Sequence, residues 1–388
     1  MLRREWIVAA AMMLTPSMAA AQPPTGAGGG RGRGPAVVSP EVGADRTVTL
    51  RYLAPNATSV TANGELDGKP HPLTKGENGI WSVTIGPLPP DIYTYAFNVD
   101  GVVALDPRNV NTKYGYGGFG PVSIVQVPGD GPQFYDVRNV PHGEVRIRPY
   151  VSKTLGVNRT VWIYTPPGYD RGSNFPVLYL LHGAGDIESG WTMIGRANNI
   201  LDNLIAERKA KPMVVVMPLG HAIQSFWTGP GRAADAPAPA AAPGSLSAFA
   251  RDLLDDVMPM VEQSYKVSRK ADDRAIGGLS MGGGQTMNLA FNRPELFRYV
   301  VAMSPAAGQI NEKSYPAIFK DPSAINKQFK MFWMAVGKDD TLTGPGDRAL
   351  DEALTKAGIT HSFKLTEGRH EWTVWRNHLN EVAPLLFR

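Results

Sequence analysis

Between Val177 and Val336 the chain carries four short runs with no polar alternation: Val177-Leu-Tyr-Leu-Leu181, Met213-Val-Val-Val-Met217, Arg274-Ala-Ile-Gly277 and Met331-Phe-Trp-Met-Ala-Val336. A strand with one wet face alternates apolar and polar residues. A strand that does not alternate must be covered on both faces, which means helices above and below a parallel sheet. Helical patterns lie between and after the runs, at Ala197 to Arg208, Ala248 to Ser264, Gln285 to Asn292 and Gly346 to Ala357. Two alternating stretches, Val145 to Tyr150 and Arg159 to Tyr164, precede them as edge strands. Strand and helix in alternation predict an α/β domain with a mainly parallel central sheet over residues 141–388.

The third run passes into Gly278-Leu-Ser-Met-Gly-Gly-Gly-Gln285, and a helical pattern follows at once. Strand, sharp turn and helix around G-x-S-x-G is an arrangement that presents a serine hydroxyl as a nucleophile at the end of a sheet. The glycines are needed because strand and helix approach so closely that side chains there would collide. A Gly-rich stretch can also be a flexible linker, but the strand before and the helix after it argue for the turn.

A serine hydroxyl needs a base to take its proton and a carboxylate to orient that base. Three histidines follow Ser280. His361 opens an alternating strand and His378 lies inside a helical pattern, whereas His370 sits in the loop Glu367-Gly-Arg-His-Glu-Trp372 and is the expected base. The acid belongs in the loop after Met331 to Val336, where Gly337-Lys-Asp-Asp-Thr-Leu342 offers Asp339 and Asp340, and spacing leaves both open. Charge that develops on a carbonyl oxygen calls for backbone donors. The expected ones are the N–H of Met281, directly after the serine, and the backbone of Gly183 and Ala184 in His182-Gly-Ala-Gly185. His182 itself reads as a structural residue beneath that loop.

Ahead of residue 141 the rhythm is different. Thr47 to Leu53, Ser59 to Ala62, Trp81 to Ile85, Ile92 to Val99 and Val122 to Val127 are short β-rich runs separated by Asn-Gly, Asp-Gly and Pro-Pro turns. They predict a small antiparallel sandwich over residues 41–128, joined to the α/β domain by a Pro/Gly-rich linker at 129–140. Trp81 is expected in the sandwich core, with stacking on a sugar as the second reading.

Residues 22–40, with Gly28-Gly-Gly-Arg-Gly-Arg-Gly34, bury too little apolar surface to offset the entropy of ordering and are expected to form a flexible leader. Residues 1–21 carry two arginines, a short apolar core from Trp6 to Leu14 and Ala19-Ala-Ala21 before Gln22, the pattern of a removed secretory signal. That apolar core is too short to span a bilayer. The expected location is secreted or periplasmic. A net charge of +4 without a basic run gives no nucleic-acid-binding surface. The chain has no Cys, so it has neither a disulfide framework nor a lipidated-Cys membrane anchor. No metal or other cofactor is implied, and the residues are silent on oligomeric state.

From about residue 140 to the C terminus the chain resembles the esterase D-like branch of the α/β-hydrolases, and specifically carbohydrate esterase family 1, the feruloyl and acetylxylan esterases. The resemblance rests on Tyr164-Thr-Pro-Pro-Gly-Tyr169, Leu180-Leu-His-Gly183, Gly195-Arg-Ala-Asn-Asn-Ile200 with Asn203-Leu-Ile-Ala-Glu207, Gly278 to Gln285, Gly337 to Leu342 and His370 to Trp375. The front unit resembles early-set, Ig-like modules of the glycogen-binding-like kind, on Trp81, Leu88-Pro-Pro-Asp-Ile-Tyr-Thr-Tyr95, Asp100-Gly101 and Leu105-Asp-Pro107. The resemblance implies an α/β-hydrolase behind an Ig-like sandwich, with Asp340 as the acid. It also implies a serine esterase that works through an acyl-enzyme on feruloyl or acetyl esters of plant polysaccharide or oligosaccharide, the front module orienting or gating the site.

One region departs from the pattern, the loop 221–245 with Gln224-Ser-Phe-Trp227 and an Ala/Pro tract. Phe226, Trp227, Trp191 and Trp372 are candidate walls of an acyl pocket, with core or lid packing as the competing reading. Two rivals share the Ser, Asp and His set: an enterochelin-type siderophore esterase, and a mycolyl-transferase-like enzyme that passes the acyl group to a sugar. A carbohydrate-binding protein on a decayed hydrolase fold is the non-enzymatic alternative, and the complete set argues against decay. N-terminal sequencing of the exported protein is expected to begin at Gln22; a chain still beginning at Met1 removes the export reading.

Overall fold

Eight strands build the central sheet, in the order Glu144–Ser152, Val157–Thr165, Val214–Pro218, Val177–Leu181, Arg274–Leu279, Tyr299–Met303, Met331–Gly337 and Ser362–Thr366. The first two are antiparallel to each other and the second is antiparallel to Val214–Pro218; every later pair is parallel. The computed structural model describes residues 37–116, 120–223 and 245–388. The signal, all but the end of the leader, Phe226 and Trp227 lie outside the described residues. No helix among those described is long and apolar enough to cross a membrane.

Strands without alternation are buried at every residue, as in Val177–Leu181, Val214–Pro218 and Arg274–Leu279. Successive residues feed opposite layers. Tyr179 and Leu181 join one apolar cluster with Met287 and Phe291 of helix Met281–Asn292, while Leu178 and Leu180 join another with Ile200 and Leu204 of helix Ala197–Ala206 and Trp375 and Leu379 of helix Trp372–Val382. Helices therefore cover both faces of the sheet, as expected of an α/β domain. One strand, Tyr299–Met303, was not among the expected runs. Five apolar residues soon after a helix cannot be told from more helix by periodicity alone.

The front unit is two antiparallel sheets. One orders Glu41–Val42, Val48–Leu53, Ile80–Ile85 and Thr74–Lys75; the other orders His71–Pro72, Val60–Gly64, Asp91–Val99, Val122–Val127 and Thr112–Lys113. Their facing residues, among them Leu50, Val60, Tyr95, Phe97 and Val125, form a third apolar cluster. Trp81 belongs to it, 7% exposed, its indole N–H donating to the Ala54 carbonyl at 2.9 Å.

Strand Asp91–Val99 is buried on both sides over its first seven residues. Tyr93, Tyr95 and Phe97 point into the sandwich, while Ile92 joins the cluster under helices Ala197–Ala206 and Trp372–Val382 together with Ile124 and Tyr135. The connecting stretch 129–140 is pinned as well: Asn203 donates to the carbonyls of Phe134 and Asp136 at 2.9 Å each, and Asn199 to that of Tyr135 at 3.2 Å. Residues Val37–Arg388 form one compact unit as a result.

Arg376 fastens this seam. Fully buried on the last long helix, it donates to Asp91 Oδ1 at 2.6 Å, the Ile92 carbonyl at 2.7 Å and the Ile194 carbonyl at 2.9 Å. Removing one partner of a buried pair strands the other's charge, at about 3–5 kcal/mol. Arg376→Met is expected to lose stability on that scale in urea unfolding, and adding Asp91→Ala is expected to recover part of it. A shift under about 1 kcal/mol, the scale of an exposed pair, removes this account of the seam.

Candidate active site

Ser280 stands between the last residue of strand Arg274–Leu279 and the first of helix Met281–Asn292. Its backbone is held at φ 51°, ψ −119°, a conformation that L residues disfavour. The turn is over-determined: Ser280 N–H donates to the Met303 carbonyl at 2.9 Å, and the Ser280 carbonyl accepts from Gly284 and Ala306. Space explains the glycines. A Cβ on Gly278 would lie 2.6 Å from the Gly282 backbone, and one on Gly282 would lie 2.6 Å from the His182 carbonyl oxygen. The helix thus begins one residue after Ser280, four residues earlier than its apolar pattern suggested.

Ser280 Oγ donates to His370 Nε2 at 2.9 Å, and His370 Nδ1–H donates to Asp340 Oδ2 at 2.7 Å. Asp340 is 2% exposed and also accepts from the backbone N–H groups of Leu342 and Thr343 and from the Thr343 hydroxyl. Burial opposes its ionisation, but the bonds from His370 and Thr343 outweigh it and hold the carboxyl well below the usual range. Asp339 is exposed.

Met281 occupies the first helical position, so its N–H is among those for which a helix has no internal acceptor. The loop after Val177–Leu181 passes close by: a Cβ on Gly183 would sit 3.4 Å from Ser280 Cβ. His182 is buried under this loop, its Nδ1–H donating to the Gly183 carbonyl at 2.8 Å and its Nε2 accepting from Gly220 N–H at 2.8 Å. Burial pushes its pKa down to about 3, so the ring is a neutral strut.

A cavity of about 270 Å³ opens over Ser280 and His370. Apolar groups from Val122, Leu279, Leu342, Trp372 and Trp375 line it beside the backbone of Gly183 and Ala184. Trp375 stands edge-on to the His370 ring, 5.0 Å between centroids.

The family model for esterases matches residues 152–386. The chain belongs to the esterase family. Among curated relatives the esterase is 31% identical, over 359 residues, to an endo-1,4-beta-xylanase/feruloyl esterase of Xylanibacter ruminicola, a match covering 90% of this chain and 46% of that protein. It is 26% identical over 262 residues to endo-1,4-beta-xylanase Y of Acetivibrio thermocellus, covering 60% of this chain and 22% of that one. The chain therefore spans less than half the length of either relative.

Among solved structures, a ferulic acid esterase of Anaeromyces mucronatus, in complex with ferulic acid, superposes with a TM-score of 0.55 at 22% identity, covering 66% of this chain and 96% of that one. The enterobactin esterase of Shigella flexneri superposes with a TM-score of 0.64 at 17% identity, covering 87% of this chain and 92% of that one. At these identities the likeness is one of fold.

Of the aromatic residues read as pocket walls, Trp372 lines the cavity. Trp191 does not: it is 1% exposed, donates its indole N–H to the Leu181 carbonyl and packs edge-on against Trp372, one layer behind the wall. The indole needed a buried acceptor, and that carbonyl supplies one. Sequence reasoning passed over Glu65, Thr94, Lys113 and Val122, which the front unit contributes to the same cavity. Nothing local gives them that role, because packing of the front sheets against the α/β domain brings them there.

The esterase also buries Asp347, 0% exposed, seven residues after Asp340. Burial, to which the Asp340 charge adds and which Thr343 opposes, pushes its carboxyl up to about 8. Below the unfolded value near 3.8 the group is protonated in both states; as pH rises through 8, folding must take up a proton and stability is lost. Asp347→Asn is therefore expected to melt at nearly the wild-type temperature at pH 4 and progressively above it towards pH 8, read by thermal scans. A gap that does not widen with pH excludes a neutral Asp347.

Proposed function

We propose that this esterase is an exported serine hydrolase for feruloyl or acetyl esters on plant polysaccharide, with Ser280 as nucleophile, His370 as base and Asp340 as its orienting acid. The observation that carries the substrate reading is the 31% identity to a xylanase/feruloyl esterase, which runs across 90% of the chain and includes the front unit. The cavity supports it: an aromatic acyl group needs apolar walls, and Val122, Leu342 and Trp372 supply them.

In the proposed reaction, His370 Nε2 accepts the Ser280 proton as Oγ attacks the ester carbonyl, and Asp340 stabilises the imidazolium. The N–H of Met281 and the backbone at Gly183 and Ala184 stabilise the oxyanion. The imidazolium then protonates the departing sugar oxygen, leaving the acyl group on Ser280. Water, deprotonated by His370, attacks that ester and releases the free acid and the serine.

A second reading, cleavage of a siderophore ester, draws on the enterobactin esterase likeness, which extends over the front unit and covers 87% of the chain. Under either reading this chain's front unit is taken as an Ig-like module that shapes the site. Hydrolysis of methyl ferulate, p-nitrophenyl acetate and a catecholate siderophore triester separates the two. Wild type is expected to release ferulate, and Ser280→Ala to lose at least about 10⁴-fold in kcat. Release from the siderophore alone transfers the assignment to the second reading, and a fully active Ser280→Ala discards the triad.

A further inference from the structure

The loop His182–Asp186 has supports on two sides. From the hydrolase side, the His182 ring holds the Gly183 carbonyl, and the His221 ring donates to the Asp186 carbonyl at 3.2 Å. From the other side the front unit reaches in. Lys113, in strand Thr112–Lys113, donates its ammonium to Asp186 Oδ1, and Tyr116 N–H donates to the Gly185 carbonyl at 3.4 Å. Asp186 N–H closes the turn onto the Gly183 carbonyl at 3.1 Å.

Lys113 is 9% exposed and Asp186 is 5% exposed, so this is a buried ion pair. Burial pushes the Asp186 carboxyl up and Lys113 opposes the rise. Without the ammonium the carboxylate must take a proton or move towards water, and either response releases one end of a four-residue turn. The other end of that turn is the Gly183 and Ala184 backbone beside Ser280.

We propose that Lys113 of the front unit is a positioning residue for ester hydrolysis, setting through Asp186 the place of the Gly183 and Ala184 backbone donors relative to Ser280. This rests on the reading of Ser280 as nucleophile and of that loop as oxyanion donor. Lys113 acts on the donors and not on the acyl group, so the loss on removing it does not depend on which ester is cleaved. That separates it from a substrate contact, which matters only for esters large enough to reach the front unit.

The test compares wild type, Lys113→Met, Lys113→Met with Asp186→Asn, and Ser280→Ala on p-nitrophenyl acetate and methyl ferulate. Displacing a reacting group by about 1 Å costs on the order of 10²-fold. Lys113→Met is therefore expected to lose about 10²-fold in kcat on both esters, with KM held within about threefold, the signature of an interaction made in the transition state. Affinity for phenylboronic acid, whose adduct with a serine oxygen is tetrahedral and anionic, is expected to fall in parallel.

The double variant has no buried unpaired charge, so it stays folded even where the single one does not, and it is expected to show the same loss because the clamp is still absent. Wild-type kcat in the double variant, or a loss confined to KM for methyl ferulate, overturns the proposal. Ser280→Ala separates the levels: full activity in that variant sinks the nucleophile reading and this inference with it. An inactive Ser280→Ala beside a wild-type-like Lys113→Met sinks the positioning role alone.

Discussion

The remainder of the site rests on the close contact between strand Arg274–Leu279 and the helix that leaves it through Ser280. Helix and strand meet with no room for a side chain at Gly278, and the same turn of helix passes over the carbonyls of Leu181 and His182 with no room for one at Gly282. The serine turn and the His182–Asp186 loop therefore interlock through backbone atoms. That contact fixes the start of the loop at His182 and leaves its far end to other supports, while an unfavourable φ at Ser280 persists because bonds to Met303, Gly284 and Ala306 over-determine it. Asp340 and His370 stand in loops at the same end of the sheet, a placement that parallel strands supply.

Environment rather than residue type decides what each carboxyl does. Asp340 and Asp347 are seven residues apart and both buried, yet the bonds around the first hold its carboxyl low while burial pushes that of the second up. Buried ion pairs contribute little net stability, because desolvation offsets attraction, but they tolerate few alternative geometries. Two such pairs, Arg376 with Asp91 and Lys113 with Asp186, lie along the seam between the front sheet and the hydrolase. Apolar contacts through Ile92 and Ile124 hold the two parts together, and the charges specify one orientation of docking.

What could be read from the residues was whatever a short stretch encodes. The serine turn shows in a strand pattern, a Gly-rich break and a helix pattern in immediate succession, and His370 stands out because its two rivals read as parts of a strand and a helix. Asp339 and Asp340 are indistinguishable by spacing; burial and the donors around Asp340 separate them, and both depend on the fold. Trp191 shows the limit of counting aromatics, since residue type alone does not say whether the ring faces a cavity or the core behind it. Least legible was the front unit's share of the cavity. Glu65 accepts from the backbone of Trp372, 307 residues away, and no periodicity spans such a distance.

The two-sided strand Asp91–Val99 also sets an order of events in the making of the protein. Its sandwich face is satisfied by partners completed by Val127, but its other face waits for Arg376, 285 residues later. At ribosomal speeds of about 5–20 residues per second, that is roughly 15–60 s during which Ile92, Ile124 and an unpaired Asp91 face the surroundings of a growing chain. The face that emerges early gains Tyr135 and Tyr164 soon after, but its cover is completed only when the last long helix emerges.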